Sequence, residues 1–364
     1  MNKLIFILLF LVFSPAFHAT GQDNAAGKEA LYYLKTAEPK NSVTCQLCPR
    51  MCLIQEGKSG FCRARKNIKG RLYSLGYNQP CSIHVDPMEK KPFFHVLPGG
   101  AAFSIACAGC NFRCQFCQNW EISQSSPLET ANYFFTPEKI VAMAAKNRCA
   151  GIAYTYSEPT NFYEYMLDIA RLARQKKILN IYHSNGFINP QPLKQLCKYL
   201  DAANIDLKGF SDRFYAQLCE GELEPVLATL KTLKQEGVWL EITNLIIPGY
   251  NDNPEEIKRM CEWIKTNLGP DVPLHFSRFF PSYRMTNMAP TPVQTMEKAR
   301  EIAKKAGLNY VYLGNLPGNP AENTYCPGCG RAVIERSGYS IMENNIKDGK
   351  CKFCGKRIPG IWTR

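Results

Sequence analysis

The 364-residue sequence contains no internal repeat and no low-complexity tract. That excludes solenoid and propeller architectures, which announce themselves by self-similarity at a fixed period. It also has no long run of Lys or Arg, although these residues exceed Asp and Glu by 44 − 31 = 13. The positive charge is therefore spread over a solvated surface, where it attracts anions in general. No apolar run reaches comfortable membrane-spanning length; the one near the N-terminus covers only Leu4 to Phe13. No twin arginine precedes that run, so export of a prefolded, metal-loaded chain is not expected. Lys3 before the run and small residues around Ala19 and Gly21 give residues 1–22 the pattern of a secretory signal or an uncleaved anchor. Between Lys3 and Lys28 there is no Lys or Arg, which by the positive-inside rule puts the bulk of such a chain on the outer, non-cytoplasmic side, with membrane contact possible through this segment.

What the chain has in excess is cysteine, 17 in all. Twelve of these fall into three groups of four, at Cys45, Cys48, Cys52 and Cys62, at Cys107, Cys110, Cys114 and Cys117, and at Cys326, Cys329, Cys351 and Cys354. Gaps of two or three residues let several sulfurs converge on one point, which suits metal ligation better than disulfides.

Between the second and third groups the pattern becomes regular. AAFSIAC, GIAYTY, ILNIYHS, AANIDL, VWLEITNLIIPG, PLHFSRF and LNYVYL read as strands, separated by six amphipathic helices. In the first helix, TPEKIVAMAAKNRC, Thr136 is the expected N-cap, with Pro137 in the first turn. Strand–helix alternation with short links implies parallel strands and right-handed crossovers, with chemistry at the strands' C-terminal ends. The expected organisation is a linker at 23–42, a loop-rich cysteine lobe at 43–100, an α/β partial (β/α)6 barrel at 101–316 and a zinc-ribbon-like segment at 317–364.

The stretch CAGCNFRCQFCQ, residues 107–118, follows the first of these strands. Cys110, Cys114 and Cys117 form a CxxxCxxC pattern, and three thiolates can hold three corners of a 4Fe–4S cluster. The fourth iron is then free to bind a substrate or cofactor. Cys107 is left over and is expected to be buried as a small apolar residue. A closed four-cysteine knuckle that includes Cys107 is the alternative.

These residues, together with CQLCPRMC, GFCRAR, DPMEKKPFFHVLPG, YTYSEPT, NIDLKGF, NLIIPGYND, HFSRFFPSY and YVYLGNLPG, resemble the radical S-adenosylmethionine (SAM) superfamily. More narrowly they resemble the AmmeMemoRadiSam-system radical SAM enzymes, relatives of the pyruvate formate-lyase activating enzymes. The resemblance runs from about residue 43 to the C-terminal cysteines. It implies that SAM chelates the open iron, that one electron breaks its C–S bond, and that the resulting 5′-deoxyadenosyl radical abstracts hydrogen from a protein or small-molecule substrate. It implies cofactor-binding roles for Phe116, against adenine, for Glu158, which can accept from the SAM ammonium group, and for Asp206 and Lys208, which reach its methionine part. Ser157 and Thr155 could supplement Glu158. A salt-bridged acid and base at the barrel mouth is the plainer reading of Asp206 and Lys208. His183, Asn185 and Tyr283 are weaker pocket candidates. Implied partners are a low-potential electron donor and the other proteins of that system. One departure stands out: the activating enzymes carry an arginine where this chain has Thr243 or Asn244.

The N-terminal four cysteines form a closed site for zinc or for an auxiliary iron–sulfur cluster; stabilising a lobe with little core is the preferred role, and electron relay by a cluster is the alternative. CPGCG and CKFCG, separated by 21 residues between Cys329 and Cys351, have zinc-ribbon spacing. The basic ribbon raises RNA modification as a second reading, but no aromatic stacking platform accompanies it, so nucleic acid is not the expected partner. The third reading is an exported, non-enzymatic zinc-binding relative. Localisation stays open: the first residues point to export or anchoring, whereas SAM and low-potential electrons belong to the cytoplasm.

Overall fold

A computed structural model describes residues 27–363, so the signal-like segment 1–22 lies outside the described residues. Eight strands form the main sheet: β1 (Ser82–Pro87), β2 (Ala101–Ala106), β3 (Gly151–Tyr154), β4 (Leu179–Ser184), β5 (Ala202–Asp206), β6 (Trp239–Ile246), β7 (Leu274–Arg278) and β8 (Val311–Gly314). Their spatial order follows the chain. Strands β2 to β8 pair in parallel, and β1 closes one edge antiparallel to β2. Helices α1 (Pro137–Lys146), α2 (Tyr163–Gln175), α3 (Pro190–Cys197), α4 (Leu223–Gln235), α5 (Pro254–Leu268) and α6 (Val293–Lys305) are the crossovers between successive parallel strands. This is the expected α/β partial barrel, six β/α units and a seventh parallel strand.

Local signals explain the elements. All four residues of β3 are buried, as a strand covered on both faces requires. The Thr136 hydroxyl accepts from Lys139 N at 3.3 Å, and Pro137 fills the first turn of α1. Among the described residues, no helix is long and apolar enough to cross a membrane.

Two boundaries differ from the sequence expectation. The described part of the expected linker 23–42 contains strands. Lys28–Glu29 pairs with Arg71–Ser74, and Tyr33–Thr36 with Ser42–Cys45. Polar composition hid them, because their anchors are long-range: Leu31 N donates to Glu164 Oε1 at 2.8 Å, and Lys28 is ion-paired with Asp168 on α2. The expected lobe also ends too late, at residue 100. Its residues 82–87 are the edge strand of the barrel, and the segment behind them plugs the barrel's interior.

That plug places Phe93 and Val96, both fully buried, against the small inward residues Ala102, Ala153 and Ala202. It is pinned by one carboxylate. Glu241, buried on β6, accepts from Phe94 N at 3.1 Å, His95 N at 2.9 Å, Trp239 Nε1 at 3.1 Å and His275 Nε2 at 2.7 Å. Burial would raise its pKa, but His275 and His95 outweigh this and hold the carboxyl below the usual range. The C-terminal tail closes over the plug: Ile361 N donates to His95 O, and Leu97 N to Ile361 O, both at 2.7 Å.

Removing that carboxylate orphans four donors. Glu241→Ala is therefore expected to destabilise the chain by about 3–5 kcal/mol, read as a lower urea midpoint. A loss below about 1 kcal/mol would show that packing alone holds the plug.

Candidate active site at the mouth of the barrel

The cysteine loop leaves the C-terminal end of β2. Cys107 is buried, and its thiol donates to Gly76 O at 3.2 Å. Gly109 follows with φ +107°, and a Cβ there would lie 2.5 Å from the Cys62 carbonyl oxygen, so the loop meets the N-terminal lobe backbone to backbone. Arg113 donates to Cys110 O at 2.8 Å and also bonds the Phe61 carbonyl. On the other side, Arg113 N and Gln115 N donate to Cys219 O and Leu218 O at 2.8 and 2.9 Å.

Cys110, Cys114 and Cys117 face one cavity of about 430 Å³ at the barrel mouth, a volume suited to a nucleotide-sized ligand. Phe116, Glu158, Asp206 and Lys208 line the same cavity, so all four expected cofactor-binding residues meet the three cysteines there. Three thiols from one short loop, open to a cavity of this size, fit a cluster with one exposed corner.

Glu158 is fully buried and heavily engaged. Its Oε1 accepts from Thr160 N at 3.0 Å, Thr160 Oγ1 at 2.6 Å and Ser184 Oγ at 2.7 Å, and its Oε2 accepts from Asn185 N at 2.9 Å. Burial raises its pKa against these donors. Oε2, with a single partner, keeps an acceptor position. Asn185 in turn donates to Asn111 Oδ1 at 2.8 Å and approaches Cys110 Sγ at 3.9 Å.

Asp206 and Lys208 form the salt bridge that the sequence left open, 3.0 Å between Oδ2 and Nζ. Asp206 Oδ1 meets His183 Nε2 at 3.1 Å, and His183 Nδ1 lies 3.5 Å from Thr155 Oγ1. Burial alone would raise the Asp206 carboxyl; Lys208 and His183 hold it well below the usual carboxylate range instead. Desolvation works against Lys208, and Asp206 more than compensates. The pair is thus ionised across the neutral range. Lys208 Nζ also lies 5.9 Å from the centre of the Phe116 ring.

Of the two residues at the departure from the activating enzymes, Thr243 lines the cavity and bonds Asn204 Oδ1 at 2.9 Å. Asn244 donates to Leu207 O at 2.7 Å. Ser157 bonds the Cys107 carbonyl at 2.5 Å. Tyr283 stacks on Trp120, centroids 5.1 Å apart and planes at 14°.

Sequence reasoning missed Lys91. It comes from the plug, lines the cavity, and sits 2.8 Å from Asp86 Oδ2 with Nζ 3.8 Å from the centre of the Tyr156 ring. The signal was the stretch DPMEKKPFF, which carried the resemblance but suggested no position inside the barrel.

At the C-terminus, Cys326 and Cys354 sulfurs lie 3.6 Å apart, and those of Cys329 and Cys351 3.8 Å. A tetrahedral ion with bonds of about 2.3 Å requires sulfur–sulfur edges of about 3.8 Å. Among the described residues this is the only group of three or more Cys, His, Asp or Glu whose ligand atoms all lie within 4.8 Å of one another. The four N-terminal cysteines line a separate, much smaller cavity.

The fold and site define a class: an open β/α barrel with a three-cysteine cluster loop at the mouth of its first parallel strand. A profile of the Radical SAM superfamily matches residues 104–264. The chain is 48% identical over 333 residues to the uncharacterized protein MJ0808 of Methanocaldococcus jannaschii, covering 91% of this chain and 98% of that one. To the pyruvate formate-lyase 1-activating enzyme of Escherichia coli it is 21% identical over 225 residues, 57% of this chain and 90% of that one. A solved radical SAM methyltransferase from Sphaerobacter thermophilus superposes with a TM-score of 0.48 at 15% identity, over 59% of this chain and 66% of that one. The chain belongs to the radical SAM superfamily.

Burial lowers the Lys91 pKa to about 8 in spite of Asp86. Between about pH 8 and the ordinary lysine value of about 10.4, the unfolded chain holds a proton that the folded one has released, so this group makes stability rise with pH in that window. Reductive methylation is expected to modify Lys91 with a midpoint near 8. A midpoint at the ordinary lysine value would contradict this environment.

Proposed function

We propose that this protein reductively cleaves S-adenosylmethionine and uses the resulting 5′-deoxyadenosyl radical to abstract hydrogen from a protein or small-molecule substrate. The observation that carries the reading is the meeting of Cys110, Cys114 and Cys117 with Glu158, Phe116 and the Asp206–Lys208 pair on one cavity. Cys110, Cys114 and Cys117 would hold a 4Fe–4S cluster, which would supply the one-electron reduction that cleavage of S-adenosylmethionine needs. The chain's own residues do the positioning. Glu158 Oε2 offers an acceptor to the SAM ammonium group. Lys208 offers a fixed cation to its carboxylate, and Asp206 holds Lys208 in place. Phe116 offers an apolar face to adenine, and its burial keeps water from the cluster side of the cavity.

Within the superfamily, the motif stretches quoted above support placement with the AmmeMemoRadiSam-system enzymes. That placement brings an external low-potential electron donor and the system's other proteins as partners. The reductive chemistry fits a reducing compartment. The C-terminal four cysteines bind zinc in this reading, since their sulfur separations suit a single tetrahedral ion.

Anaerobically reconstituted, dithionite-reduced full-length chain is expected to release 5′-deoxyadenosine from SAM, and Cys117→Ala to release none. Lys208→Ala is expected to weaken SAM binding by about tenfold or more, the worth of one charge-assisted hydrogen bond. If the wild-type chain with a full, reducible cluster leaves SAM intact, the reading fails. Separately, Cys351→Ser is expected to lose one equivalent of zinc while keeping cluster iron; an unchanged zinc content would refute the assignment of that ion.

A further inference from the structure

The four N-terminal cysteines are arranged differently from the four at the C-terminus. Both groups have closed-site spacing in the sequence, which favours zinc for the C-terminal four and leaves the N-terminal four open between zinc and a cluster. Their geometry separates them. No three of the sulfurs of Cys45, Cys48, Cys52 and Cys62 lie mutually within 4.8 Å, whereas all four at the C-terminus do. Around one ion, four sulfurs must be near contact; around a cubane they sit at its outer corners, farther apart. The sulfurs of Cys110, Cys114 and Cys117 likewise do not all lie within 4.8 Å of one another.

The N-terminal four are also arranged around space. All of them line one small cavity between the lobe and the barrel, walled by the buried side chains of Leu47 and Ile54. Two buried donors in this lining lack a partner: Asn161 Nδ2 and Arg65 Nε. Asn161 is 2% exposed and Arg65 1%. The other nitrogens of Arg65 are engaged, bonding Glu164 at 3.0 and 3.1 Å and Leu31 O at 2.6 Å. Unmet donors of this kind are costly unless something anionic receives them. Four thiolates and the sulfides of a cluster are such acceptors.

The cavity also adjoins the active site. Asn111 lines it, while its neighbour Cys110 lines the large cavity. The Cys62 carbonyl presses on Gly109, and Arg50 donates to Asn111 O at 2.6 Å.

We propose that Cys45, Cys48, Cys52 and Cys62 hold a second 4Fe–4S cluster, closed by four thiolates. Asn161 and Arg65 donate hydrogen bonds to its sulfurs. It lies beside the catalytic loop as an entry point for electrons. It takes one electron from an external low-potential one-electron donor and passes one to the group at Cys110, Cys114 and Cys117; no bond forms or breaks. The relay rests on the function proposed above, whereas the site itself does not.

The test removes the catalytic loop's ligands and counts what stays. The anaerobically reconstituted full-length chain is expected to hold about eight irons and eight sulfides, and the triple variant Cys110→Ala, Cys114→Ala, Cys117→Ala about four of each. The reduced triple variant should show a magnetically isolated cluster signal that SAM leaves unchanged. In the reduced wild type, the signals should be broadened by coupling between neighbouring clusters. In the triple-variant background, Asn161→Leu should lower the potential of the remaining cluster, since a donor to its sulfur is lost. Zinc in place of iron, iron without sulfide, or no metal at the four cysteines of the triple variant overturns the site. Two uncoupled signals in the wild type overturn the relay. Because the triple variant cannot cleave SAM by the proposed route, its metal counts do not depend on whether that route operates.

Discussion

The mouth of the barrel depends on where one carboxylate's hydrogen bonds go. Glu158 receives Thr160 and Ser184 on one oxygen and the backbone of Asn185 on the other. Asn185 then grips Asn111, and Asn111 donates to Phe187 O at 2.7 Å. This chain fixes the cysteine loop, which has no regular structure between Cys107 and Asn119, to the ends of β3 and β4. An irregular loop loses much entropy when ordered. A buried acceptor with several donors returns that cost only if every member is satisfied, so the network makes the loop's geometry close to all-or-none. Glu158 is thereby structural, while it also lines the cavity with a single hydrogen bond to its Oε2.

A second buried carboxylate does the same at the opposite end. An open barrel of seven parallel strands leaves its interior unfilled unless something else enters. Here Ala102, Ala153 and Ala202 make room, and Phe93 and Val96 occupy it. Glu241 ties the backbone of this plug to β6 and β7, and the C-terminal tail covers it, with Trp362 5.3 Å from the His95 ring. Arg336, from the C-terminal segment, donates to Phe94 O at 2.8 Å. The cysteine-rich segments towards the two ends of the chain are thus parts of the barrel's packing, one against the Cys107–Cys117 loop and the other against the plug.

The parts of this arrangement legible in the sequence are those with local causes. Period and capping located the seven strands and six helices, down to the Thr136 hydroxyl at the start of α1. Spacing located the three cysteine groups. Less legible was anything decided by distant partners. Lys28–Glu29 and Tyr33–Thr36 are polar segments whose strand character comes from pairing and from α2, so composition read them as a linker. Lys91 carries no local sign that it points into a cavity. Zinc and a cubane are indistinguishable in a CxxCxxxC pattern, because spacing counts ligands but does not measure the distances among their sulfurs. The Asp206–Lys208 alternation put both side chains on one face, yet only the fold shows the 3.0 Å bridge and the His183 contact that keep both charged.

The departure at Thr243 bears on what the pocket accepts. Thr243 lies opposite Asp206 in the β5–β6 register, at the level of the cavity. Where the resemblance implies a guanidinium, its hydroxyl is already bonded to Asn204. A planar, doubly donating cation gives fixed, bidentate recognition of a carboxylate or peptide group, and a neutral hydroxyl with a partner of its own does not. The buried lysines lining this cavity are instead Lys208, held by Asp206, and Lys91, held by Asp86 beneath the Tyr156 ring, with the more exposed Lys90 also on Asp86. Lys208 is assigned to SAM in the proposed reading, which leaves Lys91 as the buried, weakly basic amine facing whatever else the cavity admits. A group that can shed its proton near neutral pH suits a substrate that donates or accepts hydrogen bonds more than one that needs a permanent positive charge. Activating-enzyme likeness in the barrel therefore does not by itself assign an activating-enzyme substrate to this chain.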